Sequence, residues 1–509
     1  MRFLPLFAVL LACAGLAGNA QAAPDLVLRG VLTGADHQTY RTVPFTVPPG
    51  VARITVEFDY TGKEERSVID LGLLGPDGAL AGWSGGNKRV FTVSSTDATP
   101  SYQPMPTAPG TWALLLGVPN MRATARAEYT AQVTFSRGLG AADEPALLRA
   151  PLRSGPAWYR GDLHSHTGHS DGSCASSSGD SSSAKVPCPL FLTAQAASAR
   201  QLDFIAVTEH NGTTHAHGIR ELQPYFDRLL LIPGRELTSF HGHANFFGST
   251  APLDFRIGPG AQRDWNAVLA GAAALGGLVS INHPVRPSGE NCMGCGWEQD
   301  SDMRLVQAIE AVNGRDADSP WSGIPFWEKQ LARGHRITAI GGSDNHNASL
   351  RGAAGVGSPT TVVYARELSQ TALLEAIRAG HVFVDIEGSG QRMLELRART
   401  ASGPVGTGAG AGEEAMMGDA LAVPAGAAAG FSVRVAGARG GSIDIVMDGA
   451  AAPLLAERRI DGDDVRKAFS WTSDGKPHWL RADVRDAAGK LLLLGNPVYL
   501  NAGGAAAAR

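Results

Sequence analysis

The spacing of hydrophobic and polar positions changes character twice along this chain. From Asp25 to about Phe135 the pattern is strand-like. Arg53-Ile54-Thr55-Val56-Glu57-Phe58 alternates, Val68 to Leu74 is apolar, and Pro76-Asp77-Gly78 reads as a turn. Trp112 to Val118 and Tyr129 to Phe135 add further strands, so residues 24–138 predict a β-sandwich. A polar stretch rich in Ala, Gly and Pro follows and predicts a linker over 139–156.

From 157 to about 400 helical and apolar strand-like segments take turns. Leu190 to Arg200 reads as a helix and Phe204 to Val207 as a strand ending at Glu209-His210. Trp265 to Leu275 precedes a strand from Leu278 to Ile281, and Phe326 to Arg333 precedes one from Ile337 to Ile340. This order predicts an α/β unit of parallel strands joined by crossover helices. A Gly/Ala-rich linker (401–425) leads to a last strand-rich segment, 426–502. There Gly430 to Val435, Ser442 to Met447, Pro477 to Arg485 and Lys490 to Leu494 predict a second β-sandwich.

Composition narrows the partners. Lys plus Arg (44) nearly balances Asp plus Glu (48), which leaves no basic surface for nucleic acid or anionic membrane. Arg2, the apolar run Phe3 to Leu11 and Ala20-Gln21-Ala22 predict a signal peptide over 1–22, and hence export to the periplasm or medium. Lipid anchoring at Cys13 is the weaker reading of that leader. No segment reaches the roughly 18 to 20 apolar residues of a spanning helix. Four cysteines remain in the mature chain. In an oxidising compartment they are expected to pair, and three connectivities are open: in one, Cys174–Cys188 closes a Ser-rich loop and Cys292–Cys295 a tight one, with a zinc ligand pair at Cys292-Met293-Gly294-Cys295 as the alternative to that second disulfide.

The candidate chemistry lies in the middle unit. Eleven of the fourteen histidines fall between His164 and His346, most beside an acidic residue just after an apolar run. Imidazole and carboxylate together hold borderline and hard divalent cations, and the ends of parallel strands are where barrel enzymes gather their ligands. His164 and His166 alternate on one strand end and project to the same side. Asp171, Glu209-His210, Glu236, His241-Gly242-His243, His283 and Asp344-Asn345-His346 follow. No Ser-His-Asp order or phosphate-binding loop competes with them.

The string Asp162-Leu163-His164-Ser165-His166-Thr167 with Ser170-Asp171-Gly172 resembles the opening motif of the PHP (polymerase and histidinol phosphatase) superfamily. Val207-Thr208-Glu209-His210-Asn211, Pro233-Gly234-Arg235-Glu236, Gly242-His243-Ala244-Asn245, Ile281-Asn282-His283-Pro284 and Gly342-Ser343-Asp344-Asn345-His346 are similar to its later motifs, in order. The layout and the closing phrase Gly495-Asn496-Pro497-Val498-Tyr499-Leu500 resemble the CehA/McbA-like branch. The resemblance implies a distorted (βα)7 barrel holding two or three divalent ions (Zn, Mn or Fe). On this chain it implies a first ion on His164, His166, Glu236 and Asp344, a second on Glu236, His243 and His283, and a third on Asp171, His210 and His346. Glu209 stands where the family has Asp and is read as orienting His210. His243 is preferred to His241.

The implied activity is hydrolysis of a small ester, foremost a phosphoester, by a metal-bridging hydroxide; Glu236, His210 and Arg286 are the expected catalytic residues, with Arg286 as a phosphate clamp. Carboxylic or carbamate ester hydrolysis and a catalytically silent metal- or ligand-binding protein are the alternatives. His169, His215 and His217 are loop candidates for proton transfer, and Arg351 is a further clamp candidate. Oligomeric state is not legible.

Overall fold

The computed structural model describes residues 23–86, 88–140, 143, 149–177, 185–258, 261–290, 292–400 and 413–502. The leader expected over 1–22 and residues 401–412 of the second linker lie outside them. No helix among the described residues is long and apolar enough to cross a membrane.

The first unit contains two four-stranded antiparallel sheets. One runs in the order Leu26–Thr33, Arg126–Ser136, Arg53–Tyr60, Val90–Ser94; the other runs Tyr40–Val47, Gly110–Asn120, Val68–Leu74, Leu80–Gly85. Alternating residues such as Ile54, Val56, Leu114 and Leu116 fill one core between them. Trp112 Nε1 donates to the Ala108 carbonyl and Thr107 Oγ1 to that of Val51.

The middle unit is mixed α/β and rich in sheet. Five α-helices, Leu190–Ala199, His215–Leu222, Trp265–Ala274, Ile324–Ala332 and Gln370–Ala379, are found among the described residues. Local signals set several of their ends. Asp264 and Ser369 cap the third and fifth by accepting from Ala267 and Ala372 backbone N–H, and Gly380, at φ 79°, ends the fifth.

The strands pair in the order Thr338–Gly342, Ala308–Asn313, Leu278–Ile281, Gly242–Phe247, Leu230–Ser239, Phe204–His210, Arg153–Asp162, Thr360–Leu368 and Val382–Asp385. Parallel pairing was expected throughout. Instead Gly242–Phe247 is antiparallel to both neighbours, and Thr360–Leu368 is antiparallel to Arg153–Asp162. The cause is the connection: only Phe240 and His241 separate Leu230–Ser239 from Gly242–Phe247, too short for a crossover helix. Gly242 turns the chain at φ 109°, and a Cβ there would lie 2.7 Å from the Trp297 ring.

The expected closed (βα)7 ring of strands is not what these residues form. Thr338–Gly342 has one strand partner among the described residues, and side chains seal its other edge. Thr361 Oγ1 accepts from Gly341 N–H and donates to its carbonyl. Asn496 does the same for Ala339, with 2.8 and 2.9 Å bonds, and its amide also reaches the Val382 carbonyl. Asn496 comes from the closing phrase of the sequence, so the C-terminal segment completes the middle sheet. That sheet also continues from Val382–Asp385 through Leu491–Gly495 and His478–Arg485 to Ser442–Met447. A four-stranded sheet packs against this extension in the order Glu414–Met416, Met393–Thr400, Ala428–Ala436, Asp464–Thr472. The Met393–Thr400 strand therefore pairs with the C-terminal strands.

Candidate metal centre

The acidic and histidine side chains meet where several strands of the middle sheet end. Glu236, near the end of Leu230–Ser239, is 1% exposed and lies at the centre. Its Oε1 is 3.1 Å from His283 Nε2, 3.3 Å from His243 Nδ1 and 3.5 Å from His164 Nε2. Its Oε2 is 2.9 Å from His210 Nδ1 and 3.7 Å from His166 Nε2. Five imidazoles from four separate motifs thus surround one carboxylate. Asp344 Oδ1 closes the inner side, 3.4 Å from His164 Nε2 and 3.2 Å from His166 Nε2. On the outer side Asp171 Oδ1 lies 3.4 Å from His210 Nε2 and 3.3 Å from His346 Nε2.

Backbone geometry aims these groups. Asn211, His283 and Asp344 have φ of 55°, 27° and 51°, a left-handed region that non-glycine residues seldom adopt. Such strain persists only where surroundings enforce it. Asn211 is held by Glu236 O and by reciprocal bonds with Thr238, and Asp344 N–H is held by His164 O. Asp162 ties the first and last motifs together. It is fully buried and accepts from His164 N–H, from Ser343 N–H and Oγ, and from Gly357 N–H.

Divalent cations fit this donor set. His164 Nε2, both His166 ring nitrogens and His283 Nδ1 are buried without a hydrogen-bond partner, a costly arrangement unless a ligand takes them up. Three groups of side chains have donor atoms within 4.8 Å of one another: His164, His166 and Glu236; His166, Asp171, His210 and His346; and His243, His283, Cys292 and Cys295.

Electrostatics points the same way. Burial alone would raise Glu236, but the charge and hydrogen bonds of His164, with those of His210 and His243, hold it well below the ordinary carboxylate range. Asp344 is likewise held low, against its own burial, chiefly by His164 and His166. Burial opposes charge on His210, yet Asp171 and Glu236 push it up to about 10. The two carboxylates thus favour positive charge beside them, at His164 and His210 above all.

One important residue has no counterpart among the expected ones. Glu310, in the strand Ala308–Asn313, is 1% exposed; its Oε1 meets His164 Nδ1 at 2.9 Å and its Oε2 accepts from His283 N–H and Asn313 Nδ2. It fixes the His164 ring so that Nε2 faces Glu236 and Asp344. The only sequence signal is an acid inside the apolar run Ala308-Ile309-Glu310-Ala311-Val312.

Other expectations resolve individually. Glu209 does not orient His210: it accepts from Thr167 N–H and Oγ1 and from Ser170 Oγ, anchoring the loop that carries Asp171. Adjacent strand residues face opposite ways, so Glu209 and His210 cannot share a partner easily. Thr238 Oγ1 meets His210 Nδ1 instead, at 2.7 Å. The His243 ring lies beside Glu236, whereas His241 is at the hairpin tip next to the exposed Phe240. Arg286 lies close by, with Nη2 bonded to Asp316 at 2.7 Å and Asn313 at 3.0 Å. Arg351 donates to the Ala348 and Leu350 carbonyls of its own loop. His215 and His217 start a helix; His217 Nδ1 accepts from Ala98 N–H in the N-terminal unit, and His169 meets Thr214. Both expected disulfides, Cys174–Cys188 and Cys292–Cys295, are formed.

No family model matches the chain, and no curated protein matches it. Among solved structures it is similar to a two-domain protein from Bacteroides vulgatus ATCC 8482 that contains a predicted PHP-like metal-dependent phosphoesterase. That match covers 67% of this chain and 96% of the other at 16% identity, with a TM-score of 0.37. A likeness this distant says nothing about chemistry.

Proposed function

We propose that this protein is a PHP-type metal-dependent hydrolase that acts, after export, on a small phosphoester. The observation that carries the reading is Glu236: one buried carboxylate facing five histidines, with buried imidazole nitrogens that have no other partner. His164, His166, Asp344 and Glu236 would hold one cation, Glu236, His243 and His283 a second, and Asp171, His210 and His346 a third. Nitrogen and oxygen donors of this kind suit zinc, manganese or iron. When bound, such cations lower the pKa of water and neutralise charge on an ester's oxygens.

The chain's own residues do the remaining work. Glu310 and Asp162 hold the inner ligands in place, and Thr238 fixes the His210 ring. His210 and His346 are partly open to solvent beside Asp171, so a cation held there would face the substrate. Arg286, whose charge is felt by Asp344 and Glu310, is the candidate cation for a phosphate oxygen. Its ion pair with Asp316 supports a second reading, hydrolysis of a carboxylic or carbamate ester, since that contact already neutralises the guanidinium. The two cystines support export.

The test is turnover of bis-p-nitrophenyl phosphate beside p-nitrophenyl phosphate and p-nitrophenyl acetate, with zinc, manganese or iron supplied. Phosphoester turnover that drops about tenfold or more in Arg286→Ala is expected. Ester turnover alone, indifferent to Arg286, selects the second reading. Tight metal uptake with no turnover at all means a binding protein.

A further inference from the structure

We propose that His243, His283, Cys292 and Cys295 form a thiol-dependent site for a borderline divalent cation such as zinc, closed to the metal's sulfur ligands while the Cys292–Cys295 disulfide stands and opened when it is reduced. One donor atom from each of the four lies within 4.8 Å of the others, and Cys295 Sγ is 4.0 Å from His243 Nδ1. His243, His283 and Cys295 are each at most 4% exposed, and His283 Nδ1 has no partner.

The cysteine loop is built against this point. Gly294 O accepts from Gly242 N–H at 2.7 Å, Gly294 N–H donates to Ser288 Oγ, and Trp297 N–H donates to Pro284 O beside His283. The Met293 carbonyl meets His243 Nε2 at 3.1 Å. Gly294 has φ 82°, and a Cβ on it would lie 2.1 Å from Ser239 O and 3.2 Å from His243 Nε2. Only glycine lets the two sulfurs come this close to the imidazoles. A disulfide that merely closed a surface loop would need no such approach.

Reduction breaks the S–S bond with two electrons and two protons from a dithiol, which leaves as its own disulfide. Each resulting thiol releases its proton to solvent as its sulfur binds the cation. Two thiolates with two imidazoles make the four-donor set of a closed zinc site and disfavour manganese. Redox state would thus convert this position from one served by Glu236, His243 and His283 to one completed by sulfur. The inference shares two histidines with the proposed hydrolytic centre but does not need that centre to turn over.

The probe is cobalt(II) added to the full chain, purified oxidised, before and after reduction with a phosphine that is itself oxidised to the phosphine oxide. Thiolate-to-cobalt charge-transfer absorption in the near ultraviolet is expected in the reduced protein. It should be lost in the oxidised protein and in the Cys292→Ser, Cys295→Ser double variant. No band after reduction overturns the proposal, as does one that survives in the double variant and so comes from Cys174 or Cys188. X-ray absorption of the zinc-loaded reduced wild type, which needs no variant, should show sulfur at about 2.3 Å; a purely nitrogen and oxygen shell contradicts it. Cobalt uptake by the oxidised protein without the band separates failure here from failure of the hydrolytic reading.

Discussion

The N-terminal sandwich and the middle sheet are both strand-built with apolar cores, yet they treat buried polar groups differently. In the sandwich, Asp97 sits between Arg53, at 2.9 Å, and Arg220 from the middle unit, at 3.2 Å, while Ser84 and Tyr102 bond each other. At the ends of the middle strands, Glu236, Asp344 and Glu310 bring three carboxylates into a largely dry space, and several histidine nitrogens around them have no partner. In the first, two guanidinium groups match the one carboxylate. In the second, buried imidazole nitrogens have no hydrogen-bond partner, and gathering three carboxylates beside them costs too much for that arrangement to serve packing alone.

This contrast can be broken by substitution. Asp97→Asn removes the carboxylate that Arg53 and Arg220 share, and should cost about 3–5 kcal/mol of stability in urea unfolding while metal content stays unchanged. A parallel loss of metal would mean that the two regions are not separable. Glu310→Gln should act the other way. It frees the His164 ring and should weaken cation binding about 10–100-fold in competition with a chromophoric chelator, with little change in unfolding.

Proton linkage gives a smaller, graded effect on the metal-free protein. His210 titrates at about 10 in the fold against an ordinary 6.5, so its contribution is complete below about pH 6.5 and fades as pH rises through 10. Glu236 and Asp344 are depressed from 4.5 and 3.8, so theirs is complete above about pH 4.5 and lost as pH falls through the lowered values. Burial holds His215 down to about 4 and His166 below its ordinary value, which weakens the fold below about pH 6.5, so the metal-free protein should have its highest Tm near pH 6.5 and decline on the alkaline side. Loading with zinc should abolish that decline, because the cation replaces the protons. Identical alkaline slopes with and without metal would contradict this.

How far the sequence carried depended on whether a residue's partners were near or patterned. His164 and His166 announce themselves by alternation, and Glu236, His283 and Asp344 by following apolar strands. Glu310 could not be found this way, since the His164 ring it holds is 146 residues distant. Glu209 and His210 are neighbours in the chain, but the strand pleat turns them to opposite sides, so Glu209 meets Thr167 and Ser170 instead. The sandwich was legible from alternation alone. The antiparallel hairpin at Gly242 and the seam sealed by Thr361 and Asn496 were not, because helix–strand alternation predicts parallel crossovers and does not mark a strand that lacks its helix or a side chain that stands in for a missing ladder.

The central claim is that the side chains around Glu236 exist to hold cations. Elemental analysis of wild type and Glu236→Gln, both purified without added metal, tests it most directly. Roughly two to three equivalents of zinc, manganese or iron in wild type, falling below about one in the variant, is the predicted result. Wild type without bound metal, even after dialysis against zinc, or a variant that retains as much as wild type, would contradict it.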